Sequence, residues 1–222
     1  MSEKEREKNL IQEIEEEVDE TIHPFLEKIL NNIKPIGFAI AAIVLATALY
    51  SGYDFYQQSQ QEKATNELGK ILAQKDDKAK VNALKGFLKV APEELKISAQ
   101  LELARIYIQN KDYEQAARVF GELATAQDVD EHLKRVAVLG QSKALELNRQ
   151  YAQALEVLEK NKEAFPKEYN EQVAQRIAFL AEKTKDWAKA LAAYEELKAS
   201  VQGGETKFFD YKIQTLKKKI TS

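Results

Sequence analysis

Asp128-Val129-Asp130-Glu131-His132 is the one place in this 222-residue sequence where a carboxylate directly adjoins a histidine. Two or three carboxylates beside an imidazole form a donor set that a divalent cation accepts. The simpler reading is a cap: the cluster falls between two helical patterns, where an aspartate satisfies free backbone N–H groups and meets the positive end of the next helix. The only other histidine, His23, lies across the apolar run described below, so the two imidazoles cannot pair. Cysteine is absent, which excludes disulfides and thiolate metal sites. No glycine-rich phosphate loop is present. Lys217-Lys218-Lys219 suits the end of a helix, with an anion-binding patch as its alternative reading. The sequence therefore predicts no enzyme, no cofactor and no metal, and leaves a surface to carry the function.

The stretch that must position that surface is Pro35 to Tyr53, which holds no charged residue between Lys34 and Asp54. As a helix it spans roughly 28 Å, close to the hydrocarbon thickness of a bilayer. Residues 35–53 are therefore expected to form one transmembrane helix. Ala46-Thr47-Ala48 fits the small-x-small rule of a cleavage site, but the leader does not fit a signal peptide. It carries ten acidic side chains against five basic ones over residues 1–34. Lys28 and Lys34 flank one end of the span and Lys63 the other, which favours a cytoplasmic N-terminus. Residues 54–222 carry 28 basic against 26 acidic side chains, too even a balance for nucleic acid to be the partner.

Before the span, Leu10, Ile14, Val18, Ile22, Phe25, Ile29 and Ile33 step by three or four, the stripe of an amphipathic helix. His23-Pro24 interrupts it near Thr21 or Ile22. This acidic tail, residues 1–34, reads either as a partner or self-association helix or as a solvated linker. After the span, residues 54–92 read as a helix hairpin broken at Asp76-Asp77, its second helix running from Lys78 to Val90 and stopping before Pro92.

From there the chain repeats. Tyr113-x-x-Ala116 with Phe120, Tyr151-x-x-Ala154 with Leu158, and Trp187-x-x-Ala190 with Tyr194 recur at a spacing of 38 and 36 residues. Alanine lets two antiparallel helices approach, the aromatic wedges the turn, and the large residue fills the gap to the next hairpin. These units resemble tetratricopeptide repeats, at about 95–127, 130–166 and 168–202. Gln141 and Ser142 depart from the usual Leu-Gly pair. Gly203-Gly204 ends the array, and Phe209, Ile213, Leu216 and Ile220 mark a capping helix at 205–220. The expected fold is all-α: an N-terminal amphipathic helix, one transmembrane helix, and an α-solenoid with its cap. The resemblance implies a groove lined by the first helix of each hairpin. Carried over, it comprises Leu101, Arg105, Ile108, Val136, Leu139, Lys143, Glu146, Gln175, Phe179 and Glu182.

The whole layout resembles the YfgM-like ancillary subunits of the bacterial protein-translocation channel. That resemblance implies a single-pass inner-membrane protein with a cytoplasmic N-terminus and a periplasmic repeat domain. It implies a chaperone-like role at the channel, with polypeptide clients and a membrane protein complex as partners. The alternatives are a protein–protein scaffold for envelope assembly or division, and an organising subunit of a membrane complex.

Overall fold

The computed structural model describes residues 32–200 and 206–221. The amphipathic stripe of residues 8–33, His23 and the Gly203-Gly204 stop lie outside the described residues or run into their edge. Among the described residues there are nine α-helices and no strand. They are α1 (Ile33–Leu72), α2 (Asp77–Phe87), α3 (Glu93–Gln109), α4 (Tyr113–Thr125), α5 (Glu131–Leu147), α6 (Tyr151–Asn161), α7 (Asn170–Thr184), α8 (Trp187–Ser200) and α9 (Lys207–Thr221). Helix α2 ends at Phe87, three residues short of the expected Val90, because the chain tightens there into i→i+3 bonds, Lys89 to Gly86 and Val90 to Phe87.

The chain divides into two compact units, residues 1–61 and 62–222. In the first, the described part of α1 presents its apolar side chains outward, with Phe38 78%, Ile43 65% and Leu49 73% exposed. By length and composition it is the one described helix apolar enough to cross a membrane.

The second unit is built by one repeated local device. Lys111, Arg149 and Lys185 adopt left-handed backbone with φ of 59°, 60° and 62°. In each case the following residue donates its N–H five residues back: Asp112 to Tyr107, Gln150 to Leu145 and Asp186 to Ala181, at 2.8, 2.9 and 2.9 Å. This is a Schellman closure, which satisfies the carbonyls at the end of one helix and turns the chain directly into the next. Asp112 and Asp186 then cap α4 and α8 by accepting from the N–H groups of Gln115 at 3.4 Å and Lys189 at 3.1 Å. In the middle unit glutamine stands at the capping position, and Gln150 takes a bond from the Asn148 side chain at 2.7 Å instead. The three left-handed residues recur at the same 38- and 36-residue spacing as the alanines, so the turn is part of the repeat.

Packing follows from that geometry. Ala116, Ala154 and Ala190 are all fully buried, and Leu158 and Leu197 fill the core beside them. Serine at 142, where the pattern departs from the resemblance, is buried because its hydroxyl donates to the Ala154 carbonyl across the α5–α6 hairpin at 3.0 Å. A second, smaller apolar cluster of Leu123, Val129 and Ala137 sits under the α4–α5 connection. Leu68 and Ile71, at the end of α1, pack into the main core with Leu84 and Phe87 of α2.

Candidate functional site

Asp128 to His132 is used as a cap. The Asp130 carboxylate accepts from the N–H groups of His132 and Leu133 at 2.8 and 3.1 Å, starting α5. Glu131 turns to Lys134 at 2.9 Å, and the His132 ring meets the Arg135 guanidinium at 2.9 Å. A guanidinium beside the imidazole opposes a cation there. Among the described residues no three His, Asp or Glu side chains converge on a point. A cleft of about 840 Å³ between α2, α3 and α4 holds Asp76, Asp77, Tyr107 and Asp112. Asp76 and Asp112 are likewise helix caps.

The first helices of the three units, α3, α5 and α7, carry the outward stripes expected to form a binding groove. Arg105, Val136, Lys143, Gln175 and Phe179 are exposed, with Val136 at 51% and Phe179 at 42%. Leu101, Ile108, Leu139, Glu146 and Glu182 are half-buried. Leu101 leans onto the smaller apolar cluster, and Ile108 and Leu139 pack against the main core. Ile108 and Leu139 stand three residues after Arg105 and Val136, about 60° short of a full turn, which rotates them off the exposed stripe toward the helix seam. They seal the core edge more than they face outward.

The charges on this face are largely tied down. Glu102 accepts two bonds from Arg105, both 2.6 Å, and this pairing holds its carboxyl below the usual range. Glu146 takes Lys143 at 2.5 Å from its own helix and Arg176 of α7 at 3.4 Å. Glu182 accepts from the Tyr194 hydroxyl at 2.6 Å and from Lys212 of α9 at 2.8 and 3.0 Å. Burial by itself would raise the Glu182 carboxyl, but the bonds from Lys212 and Tyr194 outweigh it and hold it below the ordinary carboxylate range. The bond to Glu182 raises Lys212 in turn.

Sequence patterns single out neither Arg176 nor Lys212. Arg176 shares a stripe with Phe179 and Lys183 at steps of three and four, which is the signal that could have found it. Lys212 meets Glu182 across 30 residues, so nothing local announces the pair.

Residues 30–218 match the model of the tetratricopeptide repeat-like domain. The chain belongs to that family. No curated protein matches it. Two crystal structures align with it: the nearly identical TPR-like repeats of a candidate kinesin light chain from Podosopora anserina, and a point variant of the same protein. Each is 16% identical with a TM-score of 0.48, covering 72% of this chain and 84% of that one. A tetratricopeptide repeat-like domain is a protein-interaction scaffold and not an enzyme.

Proposed function

We propose that this protein is a membrane-anchored adaptor that engages polypeptides through the first-helix face of its repeats, with a chaperone-like role at the protein-translocation channel. In this reading residues 35–53 cross a bacterial inner membrane, residues 1–34 stay in the cytoplasm, and the repeat domain lies in the periplasm. The outward apolar surface of α1 supports the anchor. The layout's resemblance to the YfgM-like translocon subunits supports the setting. The observation that carries the binding role is the exposure of Val136 and Phe179 on helices whose other apolar side chains, Leu147 at the end of α5 apart, are buried or half-buried. Exposed apolar contacts with neutralised charges between them suit an extended chain of loose sequence.

Topology is tested first. Protease added to spheroplasts should digest the repeat domain and leave a small protected N-terminal fragment. A surviving repeat domain with a cut leader would invert the orientation and remove the translocon setting. Binding is tested with Val136→Ser/Phe179→Ser in the full chain against a permanently unfolded model protein. Each side chain, wholly desolvated by a client, contributes about 1.5–3 kcal/mol before ordering costs, so the double variant should lose binding about tenfold or more. Its melting should stay close to wild type, since neither side chain is buried. Leu139→Ser, by contrast, should lower stability, because that side chain packs on the core. Unchanged client binding in the folded double variant would move the interaction elsewhere. A wild-type chain that binds one folded partner and no unfolded protein would favour the envelope-scaffold alternative.

A further inference from the structure

The C-terminal helix α9 does more than close the array. Its side chains Phe208 and Tyr211 are 58% and 67% exposed, and Phe179 of α7 is 42% exposed. The Glu182–Lys212 pair ties α9 to α7, while Phe208 stands edge-on to Tyr194 at 6.3 Å and to Phe209 at 5.5 Å. Cations are interleaved with these rings. Lys183 lies 5.3 Å from the Phe179 ring centre, and Lys212 lies 5.4 Å from Tyr194 and 6.0 Å from Phe208. An aromatic surface of this extent is one that solvent does not favour leaving bare.

Two of the carboxylates on this face, Glu146 and Glu182, are paired with cations. Glu182 serves Tyr194 and Lys212. Glu146 is shared by Lys143 and Arg176, and Glu171 takes the Gln175 amide at 3.0 Å. Arg176 has only that long 3.4 Å contact through one terminal nitrogen, and its Nε is buried with no acceptor. The Arg176 side chain is 22% exposed, and an arriving carboxylate would meet the part of its guanidinium that reaches solvent. A basic segment would compete with Lys143, Arg176 and Lys212 for Glu146 and Glu182 and would be repelled by Lys183.

We propose that the outer face of α7 and α9 binds an extended polypeptide segment in which carboxylates alternate with large apolar side chains. The rings of Phe179, Phe208 and Tyr211 take the apolar residues, and Arg176 and Lys183 take the acids. The inference rests on the adaptor reading above and narrows it, from any unfolded chain to acidic, apolar ones.

The test uses the full-length chain in detergent and two fluorescent peptides of equal length. One alternates Glu with Leu and Phe, and the other has Lys at every Glu. In about 50 mM salt the acidic peptide should bind at least about tenfold more tightly, and the advantage should shrink severalfold at about 300 mM as screening grows. Lys183→Glu should weaken the acidic peptide about tenfold and strengthen the basic one. Phe208→Ser should weaken the acidic peptide while leaving the helical signal unchanged, since the ring is largely in solvent. Equal binding of both peptides would overturn the inference and leave the adaptor reading standing. So would a Lys183→Glu variant with wild-type affinities. Binding of neither peptide, nor of an unfolded protein, would bring down both. Displacement of the acidic peptide by phosphatidylglycerol vesicles, with no such effect from neutral ones, would overturn it in favour of a lipid surface.

Discussion

Ala154→Leu should lower the stability of the repeat domain by about 1–3 kcal/mol, the usual cost of forcing extra methylenes into a filled site. Ala154 is fully buried, and its carbonyl receives the Ser142 hydroxyl across the hairpin at 3.0 Å. A leucine side chain cannot enter without separating α5 from α6 and stretching that bond. Ala152, two residues earlier on α6, is exposed. Leucine and alanine differ little in helix propensity, so Ala152→Leu should stay within about 0.5 kcal/mol of wild type. Urea unfolding followed by far-ultraviolet circular dichroism measures both. Equal midpoints for the two variants would show that the α6 register assigned here is wrong.

That register was legible in the sequence for a physical reason. Ala116, Ala154 and Ala190 occupy one geometric role in three hairpins, and each is fully buried. A repeated requirement leaves a periodic trace. What repeats in the backbone alone leaves less. The left-handed residues are Lys, Arg and Lys, not glycine, so the Schellman closures carry no marker of their own. The bonds made on only one occasion are illegible. Ser142 reads as a departure from the pattern until its hydroxyl is seen to reach Ala154. For the proposed binding face, the family resemblance carried ten residues over to the first helices but could not say which of them pack and which stand clear. Val136 and Phe179 stand clear while Leu101, Ile108 and Leu139 pack at the core edge. Nor could it foresee that Glu182 would be spent on α9, since Lys212 is 30 residues away.

The α4–α5 packing gives the same substitution opposite signs at two glycines. Gly121 of α4 and Gly140 of α5 each sit against the other helix. Glycine inside a helix costs about 1 kcal/mol relative to alanine, so each Gly→Ala change begins with that gain. A Cβ on Gly121 would meet the Gln141 amide nitrogen at 2.7 Å, which is the free end of a flexible side chain and can swing aside. Gly121→Ala should therefore be neutral to stabilising by up to about 1 kcal/mol. A Cβ on Gly140 would meet the Phe120 ring at 2.7 Å on two carbons. That ring is rigid, half-buried, and packed against both apolar clusters, so it cannot yield without opening one of them. Gly140→Ala should cost about 0.5–2 kcal/mol net, and Gly140→Leu about 3 kcal/mol. Shrinking the obstacle tests the cause: in a double-mutant cycle, Phe120→Leu should recover about 1 kcal/mol of the Gly140→Ala loss. Strict additivity in that cycle would mean that the ring is not what glycine at 140 makes room for.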